Sequence, residues 1–492
     1  MNLSQALRLL PPPALRDASS KSFGYGGAWE GVAFVGSGGK TTALFQVSRE
    51  LPPPVVVTTT THLHVDQIRL ADSHSIAEKP EDLSGLEKDL HGVMLITGPL
   101  DGDRTTGVND SILIRLREVC ASHKLPLLIE ADGSRTRPLK APADHEPVIT
   151  EFVRTVVVVA GLTGVDKPLT ETFVHRQDIF SHLSGLAMGE TISPEALVRV
   201  LTHPAGVLKN IPSGSRRIAL LNQADTPELQ AQAKGMAVQL LSSFHAVIIA
   251  SLQPQSSITN QRSNIQAIYE PVAGIILAAG GSSRFGQPKP LLDWHGKPFV
   301  RALADNALAA GLSPVVVVTG AHAQAVESVI HDLPITIHHN QDWQNGQSSS
   351  IRAGLTVLAQ PHRVSGHPPL PPSSLRDPSP ISAGTGERWE GVGAAIFLLA
   401  DQPQTTQTVL HALVEEHART LAPILAPLVG GQRANPVLFD RLTFLDLMAL
   451  SGDTGGRAIF SKYPLGTLTW HDEGLLSDVD TSEDYGKLIN GE

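Results

Sequence analysis

Short, almost uninterrupted apolar runs recur along this chain and limit what it can fold into. The first half carries VAFVG (32–36), PVVVTTT (54–60), GVMLITG (92–98), LPLLIE (125–130), TVVVVAG (155–161), RIALLN (217–222) and AVIIAS (246–251). The second half carries AGIILAAG (273–280), PVVVVTG (314–320), PITIHHN (334–340) and AAIFLLAD (394–401). Runs of this length read as strands, and a strand that is apolar on both faces must be covered on both. With helical patterns between them, they predict an α/β chain of open, mostly parallel sheets. The 492 residues divide into two such domains at the polar stretch 253–272. The expected layout is a Pro/Gly/Ser-rich leader (1–29), a first domain (30–255), a linker (256–271) and a second domain (272–492) with a loop insertion at 361–392.

Charge and composition exclude several function classes. A net charge of −10 disfavours the phosphate backbone of a nucleic acid as partner. No apolar run approaches the ~18 residues that would cross a bilayer, so no membrane partner is expected. The first residues, MNLSQALRLLPPP, lack the basic and apolar regions of a secretory signal. The single cysteine, Cys120, excludes an internal disulfide and a cysteine-rich zinc site. These features predict a cytoplasmic protein.

One repeat stands out. Residues 10–32 and 370–392 share 14 of 23 positions, without gaps. Both copies are rich in Pro, Gly and Ser. Such composition buries too little apolar area to offset its ordering entropy, so the two copies read as surface loops without catalytic residues.

In the second half, IILAAGGSSRFGQPKPLL (275–292) is a strand, a Gly-rich loop and a basic end. Gly280, Gly281 and Gly286 let the backbone approach a ligand closely, and successive N–H groups form a nest for phosphates. With Leu277, Ala278, Ala279 and Ser282 they are the nucleotide-binding candidates of this loop. Arg284 and Lys289 add positive charge suited to a triphosphate. Asp401 ends an apolar strand, where open α/β sheets place ligands and a carboxylate can hold Mg²⁺. Asp401 also suits a helix N-cap, with Pro403 close behind, and Asp480 suits a cap in DTSED. Arg352 reads as a phosphate contact or as a surface residue of a helix.

The string LAAGxSxRxGxxK resembles the MobA-like nucleotidyltransferases, most closely the molybdenum cofactor cytidylyltransferases, over about residues 272–490. The likeness continues through NQDWQNGQSSSIRAGL (340–355), FLLADQP (397–403), GGQRANPVLF (430–439), GDTGGR (452–457) and DVDTSEDY (478–485). It implies a Rossmann-like nucleotidyltransferase fold and transfer of a cytidylyl group from CTP to Mo-molybdopterin, with release of diphosphate. Arg284, Lys289 and Asp401 would be catalytic, Asp401 and Asp480 would share Mg²⁺, and Asn340 and Ser349 would lie beside the nucleotide. In this family LAAG rather than LAGG accompanies cytosine, which singles out Ala279. A guanylyltransferase, a sugar- or polyol-phosphate cytidylyltransferase, and a catalytically silent nucleotide-gated cofactor chaperone are the alternatives. The stretch 370–392 departs from the family, which connects these elements more shortly.

In the first half, VAFVGSGGKTTALF (32–45) is strand, Gly-rich loop, Lys-Thr-Thr and helix, shorter than the Walker A spacing. Gly36, Gly38, Gly39, Lys40 and Thr41 can still aim N–H groups and a helix N-terminus at phosphate. Glu130 and Asp132 end an apolar strand in a placement suited, with Thr41, to Mg²⁺. LLNQAD (220–225) resembles the Asn-x-x-Asp element of GTP-binding proteins, in which an Asp carboxylate, here Asp225, accepts two hydrogen bonds from guanine. His62 and His64 are metal ligands or decorate a strand end. His175 and Arg176 contact an anion or form an ion pair.

These motifs, with IEADGSRTRPLKAP, DHEP (144–147) and VHR (174–176), resemble the YqeC-like family over about residues 30–255. The resemblance implies a P-loop-like accessory module of selenium-dependent molybdenum hydroxylases. Its implied partners are ATP or GTP and a client molybdenum hydroxylase.

Overall fold

The computed structural model describes residues 1–10, 31–133, 135–252, 264–281, 285–360, 389 and 391–490. They form two compact units that meet in sequence between Tyr269 and Glu270.

The N-terminal unit is built on a nine-stranded sheet. Its strands are β1 (Val32–Gly36), β2 (Val55–Thr59), β3 (Ser73–Ile76), β4 (Val93–Thr97), β5 (Leu127–Glu130), β6 (Thr155–Gly161), β7 (Arg216–Asn222), β8 (Ala246–Ser251) and β9 (Asn264–Tyr269). They lie in the order β9-β8-β7-β6-β1-β5-β2-β4-β3. All neighbours are parallel except β8 and β9. The apolar runs explain this: β1, β2, β4 and β8 are buried at every position, as strands covered on both faces must be.

The helices are α1 (Leu3–Ala6), α2 (Lys40–Glu50), α3 (Asp110–His123), α4 (Gln177–Ser184), α5 (Pro194–Thr202) and α6 (Pro227–Leu240). Their starts follow capping chemistry. The side chains of Asn109, Ser193 and Thr226 accept from the third residue of α3, α5 and α6, and proline opens the last two.

Two sequence expectations need correction here. The start of the expected leader is folded: α1 buries Leu3 and Ala6, and the Leu7 carbonyl accepts from Arg216 Nη1 at 2.8 Å. The expected linker contains β9, whose inner end, Ile268 and Tyr269, is buried while its outer end is exposed. An edge strand with one wet end does not show the continuous apolar pattern that marks its neighbours.

The C-terminal unit has β10 (Val272–Ala278), β11 (Val315–Thr319), β12 (Thr336–His339), β13 (Ala394–Leu399), β14 (Ile424–Val429), β15 (Gln432–Arg433), β16 (Val437–Asp440) and β17 (Leu465–Trp470). The order is β12-β11-β10-β13-β16-β14-β15, with β17 also on β14. Strands β10 to β13 are mutually parallel, and β16 is antiparallel to both β13 and β14. The helices are α7 (Phe299–Ala309), α8 (Ala323–Ser328), α9 (Gln347–Leu358), α10 (Gln407–Thr420), α11 (Phe444–Met448) and α12 (Ser482–Asn490). Helix α9 crosses β10 so closely that a Cβ on Gly354 would meet Ile275 Cγ2 at 2.6 Å.

Most of both repeat copies, and residues 361–388 of the insertion, lie outside the described residues. Trp389, near the insertion's end, is buried. Its Nε1 donates to the Leu355 carbonyl at 2.8 Å, and its ring meets Phe444 edge-on. No helix among the described residues is long and apolar enough to cross a membrane.

Candidate functional site

Each unit carries a cluster of charged residues at the carboxyl ends of its central strands, where the strand order reverses across β1 and β10.

In the N-terminal unit β1 runs into the turn Gly36–Gly39 and then into α2. Gly36 has φ +93°, and a Cβ there would lie 2.2 Å from the Val159 carbonyl oxygen, so only glycine fits. The Lys40 ammonium folds back to donate to the Gly36 carbonyl at 2.8 Å. It also stands 3.2 Å from Asp132 Oδ1 and 3.8 Å from Glu130 Oε1. Thr41 Oγ1 donates to Glu130 Oε2 at 2.8 Å. Asp132 Oδ2 accepts from the Gly36 N–H at 2.9 Å and from Lys140 Nζ at 2.8 Å, whereas its buried Oδ1 has no hydrogen-bond partner.

The chain of charges continues inward. Lys140, whose side chain is wholly buried, also meets Glu146 Oε2 at 2.8 Å, and Arg176 grips both Glu146 oxygens at 2.6 and 2.9 Å. Arg176 is therefore an ion-pair residue. Burial works to raise the Glu146 carboxyl, but Arg176 and Lys140 outweigh it and hold it at about 2. Burial, followed by Arg176, Lys140 and Arg135, pushes His175 down to about 4.

Both shifts make the unit acid-labile. A carboxyl held at about 2 contributes stability that is full above its unfolded value of 4.5 and is lost as pH falls toward 2. His175 acts the same way, because below pH 6.5 the unfolded chain binds its proton first. Glu146→Gln is expected to flatten the decline in stability between pH 4.5 and 2, read from hydrogen exchange of the β5 and β6 amides. An unchanged slope would contradict this pairing.

In the C-terminal unit a cleft of about 1010 Å³ opens at the end of β10. Leu277 to Gly281 form one wall, with Lys289 and Asp401 beside them. Lys289 Nζ lies 2.8 Å from Asp480 Oδ1 and 3.6 Å from Asp401 Oδ2. Burial pushes the Asp401 carboxyl up, Lys289 opposes this, and the nearby carboxylates of Asp478 and Asp480 add to the rise. The opposite wall joins two loops. A Cβ on Gly346 would meet Asp453 Cα at 2.5 Å, the Gln347 N–H donates to Asp453 Oδ1 at 3.2 Å, and Ser348 Oγ donates to the Gly452 carbonyl at 2.7 Å.

Comparisons with known proteins divide the chain at the same place. The family model described as YqeC protein matches residues 32–178, and the MobA-like NTP transferase domain matches residues 274–467. The uncharacterized protein YqeC of Escherichia coli (strain K12) is 30% identical over 199 residues, covering 39% of this chain and 75% of that protein. The chain belongs to the YqeC family, with a MobA-like NTP transferase domain attached. For the transferase domain, nicotine blue oxidoreductase of Paenarthrobacter nicotinovorans is 28% identical over 228 residues, 44% of this chain and 96% of that protein. Molybdenum cofactor cytidylyltransferase of Escherichia coli (strain K12) is 34% identical over 98 residues, 20% of this chain and 50% of that protein.

In the transferase domain Leu277, Ala278, Ala279, Gly280, Gly281, Lys289 and Asp401 share one cleft, with Asp480 paired to Lys289. Ser282 and Arg284 lie outside the described residues. Asn340 and Ser349 are not on the cleft wall. Asn340 is buried, and its amide donates to the Ser349 and Ser350 hydroxyls at 2.9 and 3.1 Å, so this pair orders the loop that leads into α9. Gly286, at φ +80°, is likewise off the wall.

Trp343, whose ring would stand 3.3 Å from a Cβ on Gly281, and Asp453 also line the cleft; both lie in quoted motifs but were not singled out. Arg352, left open between a phosphate contact and a helix surface residue, lines the cleft and donates to Ser348 Oγ and the Leu450 carbonyl. The signal for Arg352 was its fourth-residue spacing from Ser348 on one face of α9.

In the YqeC domain Gly36, Gly38, Gly39, Lys40, Thr41, Glu130 and Asp132 come together, and Asp225 sits on the loop after β7. His62 is exposed. His64 accepts from the Asp66 N–H at 3.2 Å, and no group of three metal-ligating side chains occurs among the described residues.

Proposed function

We propose that the transferase domain moves a cytidylyl group from CTP to a molybdopterin-type cofactor and releases diphosphate. We assign the YqeC domain the role of a nucleotide-binding accessory module, for ATP or GTP, that serves a cytoplasmic client molybdenum hydroxylase. The observation that carries this reading is Lys289 held between Asp401 and Asp480 at the mouth of a cleft large enough for a nucleotide and an acceptor.

The acceptor's terminal phosphate oxygen attacks the α-phosphorus of CTP. The bond from that phosphorus to the α–β bridging oxygen breaks, and diphosphate leaves with the electron pair. Little covalent work falls to the protein, so positioning and charge stabilisation carry the rate. The open backbone of Ala279 to Gly281 receives the phosphates. Lys289, with Arg284 on the same loop, neutralises charge on the departing diphosphate. Trp343, packed against Gly281, and the Gly452–Asp453 turn line the rest of the cleft.

Asp401 and Asp480 fit Mg²⁺: they are hard oxygen donors converging on one cation, here the Lys289 ammonium, and mutual repulsion with Asp478 favours a further positive charge. When bound, the ion would supply Lewis-acid charge neutralisation at the α-phosphate. Thr41, Glu130 and Asp132 are the corresponding candidates in the YqeC domain.

The test is diphosphate release by the purified chain with Mg²⁺, molybdenum cofactor and either CTP or GTP. Release with CTP alone is expected, in keeping with Ala279. Release with GTP alone would make the domain a guanylyltransferase. No release with either would favour a silent cofactor chaperone.

A further inference from the structure

The loop after β7 is tied to the phosphate loop more firmly than its four-residue motif requires. Asn222 is buried, its amide nitrogen donates to the Gly38 carbonyl at 2.8 Å, and its oxygen accepts from the Leu252 N–H at 2.9 Å. A Cβ on Gly39 would strike Asn222 Nδ2 at 2.4 Å. One side chain thus joins the turn after β1 to the ends of β7 and β8. Gln223 takes φ +64° and accepts from Thr163, which turns the chain so that the Ala224 N–H pairs with the Ala250 carbonyl at 3.0 Å. Asp225 follows. Its side chain reaches the Ser251 hydroxyl, which donates to Oδ1, while the residue stays exposed to solvent.

We infer that Asp225 and Ser251 form the base subsite of a guanine nucleotide whose phosphates lie on Gly36–Thr41. This rests on the nucleotide-binding reading of the YqeC domain and narrows it from purine nucleotides in general to one.

Three observations carry the inference. The first is placement. With strands ~4.8 Å apart, β7 lies about 10 Å across the sheet from β1, comparable to the reach of a nucleotide from its phosphates to its base edge. The second is chemistry. An ionised carboxylate only accepts, and it offers two oxygens side by side. Guanine presents two adjacent donors, N1–H and the 2-amino group. Adenine presents an acceptor at N1, which faces Asp225 with repulsion. The third lies at the phosphate end. Asp132 Oδ1 is buried and accepts no hydrogen bond, and Lys40 is held by the protein's own carbonyl and carboxylates. A charged group is thus in place for a ligand that would draw the lysine forward.

The test is equilibrium binding of GTP, ATP and XTP to the full chain, with CTP in excess to occupy the transferase site. GTP is expected to bind roughly ten- to hundredfold tighter than ATP, the worth of one two-pronged base contact. Asp225→Asn, at an exposed position, is expected to weaken GTP by a similar factor and to turn the preference to XTP. Xanthine carries a carbonyl where guanine carries the amino group, and the new amide donates to it. Ser251→Ala is expected to weaken GTP less and to leave the order of preference intact. Lys40→Ala is expected to remove GTP and XTP alike.

Equal binding of ATP and GTP, or an unaltered GTP to XTP ratio in Asp225→Asn, overturns the guanine assignment. If Lys40→Ala still removes binding, the nucleotide reading survives that result. Absence of all nucleotide binding, or binding indifferent to Lys40→Ala, overturns both.

Discussion

Asp401→Asn is expected to lower Mg²⁺-dependent diphosphate release by the transferase domain on the order of a hundredfold or more. The substitution keeps shape and removes charge. Asp401 stands at the end of β13 within 3.6 Å of Lys289 Nζ, and Asp480 meets the same ammonium at 2.8 Å. Loss of the carboxylate removes the donor that a hard cation requires and releases Lys289 toward Asp480. The fold should persist, because Asp401 is partly open to the cleft and holds no packing position in the sheet core. The circular dichroism spectrum should therefore match that of the parent chain. Turnover within threefold of the parent would remove Asp401 from the reaction. Turnover lost together with the spectrum would show a structural role instead.

Lys140→Met is expected to destabilise the YqeC domain by about 3–5 kcal/mol. Lys140 is the shared cation of Asp132 and Glu146, and its side chain has no solvent exposure. Methionine fills the space but leaves two carboxylates facing each other in a dry interior. Arg176 still holds Glu146, so Asp132 bears most of the loss. Asp132 in turn accepts from the Gly36 N–H, so the phosphate loop should loosen with it. Urea unfolding, followed by hydrogen exchange at the β1 amides, measures both effects. A change below about 1 kcal/mol would place Lys140 among dispensable surface-like pairs.

Each of the eleven apolar runs quoted from the sequence coincides with a strand of the sheets to within a residue or two at its ends. They were legible because a parallel strand buried on both faces leaves no polar period to confuse the reading. The strands that escaped include the buried β14 and β16, which lie in the antiparallel part of the second sheet, and the half-buried β17; three others are of another kind. SHSI of β3 is half exposed at a sheet edge, β9 is antiparallel with a wet outer end, and β15 has two exposed residues.

The site divides in the same way. Lys40, Thr41, Glu130 and Asp132 are near one another in motif terms and were readable. Lys140, Glu146 and Arg176 stood in quoted motifs, but their pairing through Glu146 spans up to 30 residues and has no local signature. Asn340 and Ser349 were expected beside the nucleotide because their segment resembles the family's motif there. Burial turned them toward each other instead, since a buried amide must find partners.

Lys289 has one more consequence. Bridging two acidic groups, it makes the resting transferase site its own competitor. Under the proposed metal role, an incoming ion would find Lys289 already seated on Asp401 and Asp480, and the lysine would shift as the ion entered. A triphosphate arriving with its ion offers the lysine a new anion at the moment its old ones are taken. Under the proposed function, this arrangement would favour a triphosphate and its ion arriving together over either alone.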